Sequence, residues 1–166
     1  MSPRPADLST DTEREALVGF LDKQRASLLR KLDDLSDEDA RRVPTASSLS
    51  LLGLLKHSGI WERRWFQIIL AGHEHPAEWP AVDEEEGADF ALGANDTVAQ
   101  WRAFYETQVA INRELVAGMP LETRCAWPKM AGRNLRWVLL HMIEETARHA
   151  GHADIIRETL DGETGI

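Results

Sequence analysis

His141, Glu145, His149 and His152 follow one another at intervals of four, four and three residues. On an α-helix, at about 100° per residue, that spacing confines all four to an arc of roughly 80°. Val138, Met142 and Ile156 fall in or beside the same arc, so the polar stripe lies on the side expected to face a core. Burying an unpaired carboxylate is costly, and two imidazoles alone do not offset it. A divalent metal ion would. Zinc and similar ions accept imidazole nitrogen and carboxylate oxygen at about 2.0–2.2 Å, and residues four apart on a helix reach a common point. Glu145 and His149 are therefore the expected ligand pair. A plainer reading makes Glu145 a salt-bridge partner of Arg148 on a helix turned toward solvent. It leaves three aligned histidines unexplained.

A third ligand from another helix would lock the ion into the fold, and His57 is the best candidate. At helical spacing it shares a face with Ser50, Gly53, Leu54, Trp61 and Ile68. Three protein ligands leave coordination positions open, as catalytic sites do. His141 and His152 flank the proposed ligands, where they would orient them, accept substrate protons, or pack in the core. Arg64, seven residues after His57, projects on nearly the same face between Trp61 and Trp65. Two readings stand for it: a cation that holds a substrate carboxylate or thiolate, or a surface arginine whose stem covers apolar area. Cys125, without a spaced histidine partner, is expected to be a buried, inert thiol. His73 and His75 are expected to face solvent in a loop.

Four helices must position these residues. The first is expected from Asp11 to about Leu35, opened by a capping box of Thr10 with Glu13. Ser36, followed by three acidic residues, suggests a further short turn. The second helix should run from about Leu49 to Ala71, capped by Ser47 or Ser48 and stopped by Gly72. The segment His73 to Asn95, with two prolines and the acidic run Asp83 to Glu86, reads as a long loop able to serve as crossover or lid. The third helix is expected from about Asp96 to Gly118, and the last from Asn134 to about Leu160, with Asp161 and Gly162 as its stop. No segment alternates in the manner of a strand. The expected class is all-α, a four-helix bundle forming a single domain over residues 1–166.

The 166 residues suffice for one core. A single cysteine and the lack of a secretory pattern lead us to expect a cytoplasmic protein. Charged residues interrupt every apolar run well short of the ~18 needed to span a bilayer, so no membrane partner is expected. A net charge of −9 opposes nucleic-acid binding. Six tryptophans against one tyrosine suit either a large core or a pocket wall.

The run from Leu135 to Glu158, with His141, Glu145, Arg148, His149 and His152 within it, resembles the final helix of the DinB-like superfamily. It is most similar to the actinobacterial branch related to mycothiol-dependent maleylpyruvate isomerase. Ser50 to His57, continuing through Glu62 and Trp65-Phe66, is similar to the helix bearing that family's first histidine. The resemblance implies a bundle in up-down-down-up order and a metal site at His57, Glu145 and His149. The isomerase carries a further C-terminal domain, so its own reaction and substrate do not transfer. Three functions are then expected to compete. One is a thiol-dependent S-transferase or isomerase, in which the metal activates mycothiol toward an electrophile, with Arg64 and Trp61 contacting the ligand and His152 or His141 moving protons. The others are a metal-dependent hydrolase and a non-catalytic metal- or small-molecule-binding module. Zinc is the first expectation for the metal, with nickel or iron also suited to such ligands. A homodimer is one arrangement open to such a bundle.

Overall fold

Every long helix in this chain opens on a side chain that accepts a hydrogen bond from its first turn. The computed structural model describes residues 12–77 and 87–164, and within them all regular structure is helical. Helix α1 spans Glu13–Arg30 and opens on a capping box of Thr12 with Glu15. The pattern Thr-x-x-Glu occurs twice in succession here, and the helix starts at the second occurrence. Thr10 lies outside the described residues. The short helix α2 (Asp37–Arg41) is capped by Ser36, as its acidic first turn suggests. Helix α3 (Leu51–Arg63) is capped by Ser50, whose hydroxyl accepts from the Gly53 amide at 3.1 Å. Ser47 instead accepts from the Leu49 amide in the preceding turn.

Past Arg63 the second long helix changes character. Residues Arg64–Leu70 form a π-helical segment, and all seven are buried. The Ala71 amide reaches back five residues to the Phe66 carbonyl at 3.1 Å. Carbonyls at the segment's end are satisfied from outside the helix: Leu70 accepts from the Ala126 amide and Ile69 from the Trp127 amide, both at 3.0 Å. The sequence reading of one uninterrupted α-helix to Ala71 missed this, because π geometry leaves no distinct spacing signal in a run buried on every side. Helix α4 (Val98–Ala117) is capped by Thr97, and α5 (Leu135–Asp161) by Asn134, with Gly162 just past its end.

The helices pack chiefly as α1 against α5 and α3 against α4, with α3 also meeting α5. Gly59 permits the α3–α4 approach, since a Cβ there would lie 2.9 Å from the Phe104 ring. One apolar cluster gathers Leu28, Leu52, Leu55, Tyr105, Ala153 and Ile156. A second gathers Leu21, Phe66, Ile69, Leu135, Val138 and Met142. Each fully buried leucine contributes roughly 1.5–3 kcal/mol.

A polar network runs through this core. Arg25 donates from Nε and Nη2 to the two carboxylate oxygens of Glu62, each at 2.7 Å. Asn112 donates to Glu62 Oε2 and to its carbonyl, both at 2.9 Å, and Gln67 donates to Gln108 and Asn112 at 2.9 Å. Arg25, Glu62, Gln67, Gln108 and Asn112 are all buried. The network joins α1, α3, the π segment and α4. Among the described residues no helix is long and apolar enough to cross a membrane.

Candidate metal centre

Helix α3 presents His57, and α5 presents His149. Their rings meet edge to face with centroids 4.7 Å apart. His149 is buried, and neither of its ring nitrogens has a hydrogen-bond partner. Burial, reinforced by the neighbouring His57, His152 and Arg148, pushes its pKa down to about 4. At neutral pH His149 therefore offers an uncharged ring with an unused lone pair. One turn earlier on α5, Glu145 Oε2 lies 3.6 Å from His149 Nε2. Its other oxygen accepts from Arg148 Nη1 at 3.0 Å, so the salt bridge read as the plain alternative is present as well.

His57 is held on two sides by a turn that sequence reasoning treated only as loop. Residues Ala88–Phe90 form a 3-10 turn that packs on α3. Phe90 stacks on the imidazole with centroids 3.9 Å apart and planes 10° from parallel. Asp89 places Oδ2 at 3.3 Å from His57 Nδ1 and 3.2 Å from Arg64 Nη1. The 3.3 Å contact is longer and less well aligned than an ideal hydrogen bond. Burial raises the Asp89 pKa, but hydrogen bonding and charge from His57, with help from Trp61, bring it below the usual carboxylate range. No spacing rule could have found Asp89, because its partners lie 32 and 25 residues away. The acidic run Asp83 to Glu86 lies outside the described residues.

Arg64 is buried rather than splayed over the surface, with its guanidinium 4.9 Å from the centre of the Trp61 ring. Burial pulls its pKa down, and Asp89 partly offsets that. Trp61 lies 6.0 Å from His57, centroid to centroid. His152 adjoins His149 at 6.0 Å, and its Nδ1 is buried without a hydrogen bond. His141 is set apart. It stacks on Trp137 at 5.0 Å and tilts against Trp65 at 4.4 Å, in an aromatic row that reaches Trp61 through Trp65. Burial lowers its pKa too. Cys125 is buried and its thiol pKa is raised by that burial, as expected of an inert cysteine. His73 is exposed and His75 only partly so.

Among the described residues no group of three or more His, Cys, Asp or Glu side chains is gathered closely enough to hold a metal ion. The donor types are nevertheless those a cation takes. Buried imidazole nitrogens without partners are what a cation would satisfy, and of the Glu145 carboxylate beside His149 only one oxygen is taken, by the exposed Arg148.

The class is thus all-helical, with His57 and His149 in contact across α3 and α5. The chain belongs to the mycothiol S-transferase family, whose sequence pattern matches residues 16–162. A crystal structure described as that of the conserved protein of a locus from Enterococcus faecalis is similar in fold. Its TM-score is 0.70 at 14% identity, over 93% of this chain and 100% of the other. No curated protein matches the chain.

Proposed function

We propose that the chain is a thiol S-transferase that uses mycothiol and works with one divalent metal ion held by His57, Glu145 and His149, zinc being the first choice. The thiol rests on family membership. The metal rests on one observation above all: His57 and His149 converge at 4.7 Å with the nitrogens of His149 buried and unpartnered. Glu145 joins them by leaving Arg148. An exposed pair of that kind is worth only about 0–1 kcal/mol, so the exchange costs little.

When bound, the ion supplies positive charge that favours the deprotonated, nucleophilic form of a thiol. His152, beside His149 and with Nδ1 unengaged, takes the thiol proton. The sulfur then forms its bond to the electrophilic carbon, while the leaving group departs with its electron pair. Arg64, backed by Asp89, and Trp61 contact the thiol's polar body, and His141 meets the electrophile in the aromatic row. The alternative of a non-catalytic small-molecule-binding module is supported by the Arg148 contact, which occupies one oxygen of Glu145.

Two measurements test the proposal. Protein purified with zinc and dialysed should retain about one equivalent by elemental analysis, and His149→Ala should retain none. Conjugation of mycothiol to a fluorogenic electrophile should exceed the uncatalysed rate for wild type and fall to it for His149→Ala. Zinc-free wild type with no rate above background would leave only the binding module.

A further inference from the structure

The 3-10 turn Ala88–Phe90 brings a carboxylate and an aromatic ring onto His57 from a loop distant in sequence. Phe90 fixes the plane of the imidazole by stacking. Asp89 addresses one corner of it. Nδ1 is shut away from solvent without an aligned hydrogen bond, and the Asp89 carboxylate faces it at 3.3 Å. An ionised carboxylate only accepts hydrogen bonds, so the nitrogen opposite it must carry the proton. Arg64 Nη1, at 3.2 Å from the same Oδ2 and itself 2% exposed, holds that carboxylate in place and balances its charge. The seat of the turn is specified by Gly53: a Cβ there would lie 2.9 Å from the Phe90 carbonyl oxygen.

We propose that Asp89 is a positioning residue that fixes His57 as its Nδ1–H tautomer, leaving Nε2 as the lone pair available to a divalent ion. The consequence for ion binding rests on the metal reading above, whereas the tautomer does not. Partners of this kind orient a ligand histidine and raise its basicity, and their loss typically weakens metal affinity by about 10–100-fold. Arg64 thereby supports the site through Asp89, in addition to any contact with substrate.

The test uses the full chain labelled with 15N, free of metal, in two-bond proton–nitrogen correlation spectra that separate the two tautomers by their nitrogen shifts. Wild-type His57 is expected as Nδ1–H alone. Asp89→Ala is expected to show a mixture or the Nε2–H form, with an unchanged helical circular dichroism spectrum. In competition with a chromophoric chelator, its zinc affinity should fall about 10–100-fold. Asp89→Asn, close in shape, guards against misfolding; its neutral oxygen is a weaker partner, and its zinc affinity should fall by about tenfold. Wild-type His57 found as Nε2–H overturns the proposal. So does a zinc affinity in Asp89→Asn equal to wild type. If wild type binds no zinc, the metal reading fails by itself, and the tautomer in wild type against Asp89→Ala still decides the role of Asp89.

Discussion

His149 is the residue on which the proposed chemistry turns, because burial shuts both its nitrogens away from solvent with no protein hydrogen-bond partner. An ion that binds only the folded chain stabilises it by about 2.7 kcal/mol at a hundred times its dissociation constant. Zinc should therefore raise the melting temperature of wild type and leave that of His149→Ala unmoved in the same thermal scan. Arg148→Ala works in the opposite direction. It frees Glu145 from its present contact at 3.0 Å and should tighten zinc binding, by severalfold in a chelator titration. Weaker binding in that variant would show that Glu145 is not drawn from Arg148 to the ion.

At the scale of elements, the site depends on how α3, its π extension and the 3-10 turn are locked together. Glu62 lies at the centre of the network that holds α3 and the π segment to α1 and α4, fully buried between Arg25 and Asn112. Glu62→Ala would strand the Arg25 guanidinium in the core and should cost about 3–5 kcal/mol in urea denaturation. Asp96 fastens the other end of the same loop. Its carboxylate accepts from the Gly93 amide at 2.7 Å and from Lys56 Nζ at 3.1 Å. Burial raises its pKa, yet the hydrogen bonds from Trp101, Gly93 and Lys56 outweigh that, and the net shift is downward. A carboxylate with a depressed folded-state pKa contributes stability above its unfolded pKa and loses it as pH falls through the folded value. Asp96→Asn should thus be less stable than wild type by about 1 kcal/mol at pH 7. The gap should narrow below about pH 4.

At the scale of the whole molecule, the polar network from Arg25 to Gln108 ties α1, α3, the π segment and α4 into one unit. The metal-free chain should accordingly unfold in a single transition, with near- and far-ultraviolet circular dichroism melting together. A separate early loss of the near-ultraviolet signal would mean that the tryptophan row around His141 loosens before the helices do. An apolar cavity of about 460 Å³ lies between α1 and α4, lined by Val18, Leu21, Phe66, Val116 and Leu139 among others. No histidine of the candidate site lines it, and it plays no part in the proposed reaction.

The sequence by itself determined the all-helical class, the number of long helices and the stripe on α5, because a 3.6-residue period writes helix faces directly into residue order. Caps were legible to within a few residues: those expected at Thr10 and at Ser47 or Ser48 precede the caps found at Thr12 and Ser50 by two or three positions. That His57 faces His149 was expected from the resemblance and from the face it shares with Trp61; their meeting at 4.7 Å is a matter of how α3 and α5 pack. Three things belong to the tertiary structure alone. The π segment arises where a fully buried run must satisfy carbonyls from the Ala126–Trp127 backbone. The Glu62 network joins residues whose partners are 37 and 50 positions away. Asp89 reaches His57 and Arg64 because the turn Ala88–Phe90 is seated over Gly53, and no local period records a contact between residues so far apart in sequence.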